Sequence, residues 1–168
     1  DGRTIIGHDG DTVGQSAYLR IDPETGVAAC LLTNSAESQT LCQGLFSEVF
    51  SDLSGVTMPG APGPADPAVV PDTECARHAG RYERTSRRFD IRVRDGQLLL
   101  MVTMTGNLAS LIESEPEELV LRPADASGRR FVVRSHEADP WTPLSFGELA
   151  DGTPYLFMGG RITPRVRG

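Results

Sequence analysis

Apolar and polar residues alternate with two different periods along this chain, and a proline-rich stretch separates them. In the first part, residues 15–21 and 27–33 read as strands flanking Asp22-Pro23-Glu24-Thr25-Gly26. That loop has hairpin chemistry, since Pro presets φ and Gly supplies a positive φ. Val27-Ala28-Ala29-Cys30-Leu31-Leu32 is apolar without alternation, which predicts a strand covered on both faces. Residues 37–53 follow as an amphipathic helix with Leu41, Leu45, Phe46, Val49, Phe50 and Leu53 as its apolar stripe. Asn34 and Glu37 form a capping-box-like start, and Gly55 is a natural stop. Three strands and one helix cannot cover both faces of such a sheet, and about 55 residues make only a marginal core. The segment therefore needs a covering partner.

Residues 56–74 hold five prolines, Pro59, Pro62, Pro64, Pro67 and Pro71, and read as an extended linker. Beyond it the period is two. Phe89-Asp90-Ile91-Arg92-Val93-Arg94 puts apolar side chains on one face and charges on the other. Strands are expected at 80–85, 88–94, 97–103, 119–123, 129–134, 143–149, 153–158 and 161–166. Turns are marked by Asp95-Gly96, Asp125-Ala126-Ser127-Gly128, Asp151-Gly152 and Gly159-Gly160. Eight short strands at this spacing predict a small antiparallel barrel or a strongly curved sheet. Its filling is expected from Met101, Met104, Leu108, Leu111, Ile112 and Phe157.

Charge and composition narrow the function classes. The 168 residues carry a net charge of −7, which argues against nucleic acid as a partner. Residues 1–55 hold eight acids against two Arg, a net of −6; residues 56–168 hold fifteen acids against fourteen Arg, a net of −1. The later Arg residues read as an ion-paired β surface. No apolar run approaches the ~20 residues of a membrane span, and residues 1–20 lack the basic and apolar regions of a signal peptide. Cys30 and Cys42 read as small core residues rather than a disulfide pair, and Cys30, Cys42 and Cys75 have no metal-ligand spacing. No metal or cofactor is expected. His78 and His136 read as surface residues, and Glu117-Glu118 as solvated loop charge. Neither a G-x-S-x-G elbow nor a P-loop is present.

The candidate chemistry lies in Gly7-His8-Asp9-Gly10-Asp11-Thr12-Val13-Gly14, followed by Asp22-Pro23 and then Leu31-Leu32-Thr33-Asn34. In this order the motifs resemble the serine beta-lactamase-like superfamily over residues 3–55. The similar branch is that of class C beta-lactamases, D-aminopeptidases and esterases, where His-x-Gly often replaces Lys-Thr-Gly. The resemblance implies attack on a carbonyl by a Ser activated by Lys and Tyr, through an acyl-enzyme. His8 would take the place of the family's Lys, since an imidazole exchanges protons near neutrality. Gly10 would let substrate approach the backbone closely. The Asp11 amide would be one of two oxyanion-hole donors. Asp9 is expected to face outward. The chain departs from the pattern at Asp11, a position often small, and at Gln15, where an aromatic residue is common. An acidic Asp11 argues against an anionic, penicillin-like substrate.

The family's S-x-x-K cannot occur here, because the chain has no lysine; all 16 cationic residues are Arg, which suggests a GC-rich bacterial genome. The expected fold is therefore mainly β. Residues 1–55 would be antiparallel strands and the C-terminal helix of a beta-lactamase-like α+β catalytic domain. Residues 56–75 would be the linker and 76–168 an accessory β-barrel. Gly80-Arg81-Tyr82-Glu83, the Asp95-Gly96 hairpin and Leu98-Leu99-Leu100 make that barrel similar to the lipocalin-like domains appended to such hydrolases. The resemblance implies hydrolysis of a small amide or ester. The Ser, Lys and Tyr would lie upstream, so this chain alone would be inactive. The expected partner is that N-terminal region, or a second copy covering residues 1–55. The competing reading is a non-catalytic β-barrel binding or structural module. The compartment is left open.

Overall fold

The computed structural model describes residues 2–12, 14–35, 38–65, 75–109 and 117–166. The chain forms two compact units, residues 1–61 and 62–168, divided within the proline-rich stretch.

The first unit is a three-stranded antiparallel sheet in the order β1-β2-β3, followed by one helix. Its strands are β1 (Ile6–Thr12), β2 (Gln15–Asp22) and β3 (Val27–Thr33), and the helix is α1 (Ser38–Ser54). Asp22 organises the β2–β3 turn. Its buried carboxylate accepts hydrogen bonds from the Glu24 amide at 3.0 Å, the Thr25 hydroxyl at 2.7 Å and the Arg3 guanidinium. Gly26 closes the turn at φ 73°. Arg3 also donates to the Ser54 carbonyl at 2.9 Å, so one side chain ties the turn to the end of α1. Gly55, at φ 65°, terminates the helix by donating to the Ser51 carbonyl. The helix begins at Ser38, whose hydroxyl lies 2.9 Å from that of Tyr18; Glu37 lies outside the described residues.

The buried line of α1 is Ser38, Cys42, Phe46, Phe50 and Ser54, each four residues from the last. The expected stripe is therefore only partly right. Phe46 and Phe50 enter a core with Tyr18, Cys42 and Val56, whereas Leu41, Leu45 and Leu53 stay exposed on the helix flank. Strand β3 also departs from expectation. Its exposure alternates: α1 covers Val27, Ala29 and Leu31, and leaves Ala28, Cys30 and Leu32 exposed. Cys30 is thus not a core residue.

The second unit is an eight-stranded antiparallel meander, nearly closed into a barrel. It comprises β4 (Gly80–Arg84), β5 (Arg87–Arg94), β6 (Gln97–Met104), β7 (Glu117–Pro123), β8 (Arg130–Val133), β9 (Thr142–Glu148), β10 (Pro154–Met158) and β11 (Arg161–Pro164), each paired with the next. A bridge between Tyr82 and Arg165 joins the two ends, with the Val166 amide donating to the Arg81 carbonyl at 2.9 Å. The predicted strands agree with these elements to within two residues. Asp95 and Gly96 both have positive φ, at 51° and 75°, as a type I′ hairpin requires.

Alternate positions fill the interior: Tyr82, Phe89, Ile91, Leu98, Leu100, Leu121, Phe131, Val133, Leu144, Phe146 and Leu156. Register decides this parity and overturns two of the expected fillers. Met101 pairs with Asp90 and Phe157 is one residue out of phase with Leu156, so both point outward. Leu111 and Ile112 lie outside the described residues. His78 is also not a surface residue. It is buried, stacked on Phe146 with ring centroids 4.1 Å apart, and its Nε2–H donates to the Gly128 carbonyl at 2.7 Å. Glu117 and Glu118 begin β7, and Glu118 takes a bidentate bond from Arg94 at 2.7 and 2.9 Å. Arg81 and Arg88 flank Asp90 at 2.9 and 3.2 Å, so part of the Arg-rich surface is ion-paired as expected.

Candidate functional site

Strand β1 is an edge strand, and all seven of its residues are exposed. Such an edge offers unpaired backbone donors and acceptors along its length. Its register against β2 places Gly7 opposite Arg20, His8 opposite Leu19, Asp9 opposite Tyr18, Gly10 opposite Ala17 and Asp11 opposite Ser16. Directly opposed residues share a sheet face. His8 and Gly10 therefore lie on the face away from α1, with Ile6, Leu19, Ile21, Ala28, Cys30 and Leu32. Leu32 is 75% exposed and Ile6 55%, so His8 stands in an uncovered apolar field.

Asp9 is on the opposite face from His8. It is exposed and accepts two bonds from Arg20, at 2.5 and 3.0 Å. The carboxylate beside His8 in sequence is thus neutralised on the other side of the sheet. Arg20 is held more strongly protonated by this bond, against the opposing effect of its own partial burial.

Two residues separate Thr12 from Gln15, which makes that pair the hydrogen-bonded one of a tight hairpin. Alternation then leaves Asp11 and Ser16 as a non-hydrogen-bonded pair, with the Asp11 amide toward the free edge. At this end of the sheet an open depression of about 670 Å³ is lined by Gly10, Asp11, Thr12, Gln15, Ser16, Ala17, Leu32, Thr33 and Asn34. A Cβ added to Gly10 would meet nothing within 4 Å. Gly10 and Asp11 thus share one depression. His8 lies two residues back on Gly10's face and is not part of its lining. Among the described residues no group of His, Cys, Asp and Glu could hold a metal ion. The exposure of Cys30 beside Leu19 and His8 was not readable from sequence, because it depends on which side of the sheet α1 occupies.

No family model matches the chain. Over 86 residues, half of this chain, it is 44% identical to penicillin-binding protein 4 of Amycolatopsis lactamdurans, and the match spans 22% of that protein. This supports a relationship with penicillin-binding proteins and the beta-lactamase-like enzymes they resemble. Among solved structures, SurE with D-Leu matches 96% of this chain at a TM-score of 0.61 and 24% identity; SurE in a second structure gives 0.59 and 26%. The matches span 35% and 34% of the SurE chains, and they speak for the fold. The chain therefore spans only about a fifth to a third of the proteins it matches.

Proposed function

We propose that this chain is the C-terminal part of a serine hydrolase of the beta-lactamase-like kind, acting on a small amide or ester through an acyl-serine. The observation that carries the reading is the edge strand β1. It is exposed over its whole length, bears the His8-Asp9-Gly10 triplet, and ends in the depression lined by Gly10 and Asp11. The identity shared with a penicillin-binding protein supports the same reading. In it the nucleophile, Lys and Tyr come from an N-terminal region that packs on the bare face of the β1–β3 sheet. His8 then faces the reacting groups and relays a proton or engages a substrate carboxylate. The Asp11 amide, directed to the free edge, stabilises the developing oxyanion. The open space over Gly10 is where the substrate backbone lies. In the same reading the eight-stranded unit is an accessory, lipocalin-like barrel, and its all-next-neighbour strand order supports this.

The test is intact mass after incubation with a fluorophosphonate, a penicillin, a D-amino-acid amide and a simple ester. The whole protein should take up a single acyl or phosphonyl group on a Ser upstream of this chain. The 168-residue chain should remain unmodified. A stoichiometric adduct on the isolated chain, or none on the whole protein with any compound, overturns the reading.

A further inference from the structure

Three arginines carry the interior parity at one mouth of the barrel. Arg84 and Arg87 oppose each other at the tip of the β4–β5 hairpin. They fall in phase with the interior residues Tyr82 and Phe89, and the Arg84 guanidinium lies 6.0 Å from the Phe89 ring centroid. Arg161 opposes Met158 at the tip of the β10–β11 hairpin, in phase with the buried Thr163. The Tyr82–Arg165 bridge sets the two hairpins side by side. Met104, opposite Arg87, is half-buried on the same rim; Met158 and Val102 pack there against the core.

This cluster differs from the other arginines of the chain. Buried guanidinium Nε atoms without a hydrogen bond occur at Arg3, Arg84 and Arg88. Those of Arg3 and Arg88 still lie 3.4 and 3.2 Å from the carboxylates of Glu24 and Asp90. That of Arg84 has no carboxylate partner among the described residues, nor do Arg87 and Arg161. Burial, and then repulsion from Arg87 and Arg161, makes the Arg84 guanidinium easier to deprotonate than an ordinary one. Arg84 and Arg87 are partly buried and Arg161 is exposed, and a set of guanidinium groups without an ion pair among the described residues is costly to the fold alone. It is stabilised by an oxyanion, which matches the guanidinium fork in shape and charge.

We propose that this barrel mouth binds a small organic oxyanion, its headgroup held by Arg84, Arg87 and Arg161 and its short apolar stem laid on Met104 and Met158. The core below is filled, with Leu100 and Leu156 fully buried, so the ligand sits at the rim and does not enter the barrel. The inference concerns the second unit alone and does not rest on the hydrolase reading.

The test uses the complete chain at constant ionic strength. The Arg Nε–Hε resonances are followed during titration with hexanoate, hexanamide and inorganic phosphate. Hexanoate should shift the Arg84 resonance saturably, and hexanamide should not. The double variant R87Q/R161Q should weaken hexanoate binding by at least about tenfold while circular dichroism stays unchanged. Equal response to hexanoate and hexanamide, or no saturable shift, overturns the proposal. Phosphate binding as tightly as hexanoate removes the apolar stem from it. A second variant, R84M, separates binding from folding. It should abolish binding and raise the ligand-free Tm by a few degrees. A fall in Tm would make Arg84 a structural residue and sink the site.

Discussion

Arg20 crosses over Gly7 to reach Asp9. A Cβ at Gly7 would lie 2.6 Å from the Leu19 carbonyl oxygen and 2.7 Å from the Arg20 Cδ, so the absence of a side chain is what admits this crossing. The guanidinium then spans from Asp9, at 2.5 Å, to the Phe46 ring, 5.7 Å from its centroid. Gly7→Ala must displace backbone as well as side chain. It should destabilise the first unit by about 1–3 kcal/mol, measured by urea unfolding. Asp9→Asn removes only an exposed ion pair and should cost under about 1 kcal/mol. Equal costs would mean that packing over Gly7 is not the constraint.

Asp22 should confer an acid-sensitive share of stability. Burial pushes its carboxyl upward, but the bonds from Thr25, the Glu24 amide and Arg3 outweigh burial and hold it below the ordinary carboxylate value. A depressed folded value favours the native state above the unfolded pKa of about 3.9. That contribution fades as pH falls below this through the folded value. Asp22→Asn should therefore be less stable than the parent at neutral pH, with the difference shrinking in acid below about pH 4. A gap that is constant with pH would show that Asp22 acts only through its shape.

Tyr82 joins barrel closure to packing, since it is 1% exposed, opposes Arg165 and donates to the His78 carbonyl at 2.9 Å. Tyr82→Phe should cost about 1 kcal/mol, the net worth of one hydrogen bond. Tyr82→Ala should cost about 3–5 kcal/mol. Thermal unfolding of the two variants checks the ratio; near-equal losses would assign the whole role to the hydroxyl.

The role proposed for Gly10 can be tested apart from folding. Because an added Cβ meets nothing in this chain, Gly10→Ala should change its stability by no more than about 0.5 kcal/mol. If the proposed hydrolase reading holds, the same methyl in the complete protein stands where substrate approaches, and acylation should slow by about tenfold or more. Unchanged acylation kinetics would remove Gly10 from the site.

The local devices of this fold were legible because each is settled within a few residues. Asp22 through Gly26 spells a turn in any context, Asp95-Gly96 spells a type I′ hairpin, and the alternation from Phe89 to Arg94 sets a strand with two unlike faces. The mainly β class followed from these. The triplet His8-Asp9-Gly10 was legible as a motif, but its geometry was not. That His8 shares an uncovered face with Leu19 and Cys30, while Asp9 turns to Arg20, depends on register and on which side α1 docks. The same limit hid the burial of His78, the outward turn of Met101 and Phe157, and the meeting of Arg84, Arg87 and Arg161. Side-chain parity is fixed by a strand's neighbours, and convergence at a rim by barrel closure. Both are contacts between residues far apart in the chain, which no local pattern encodes.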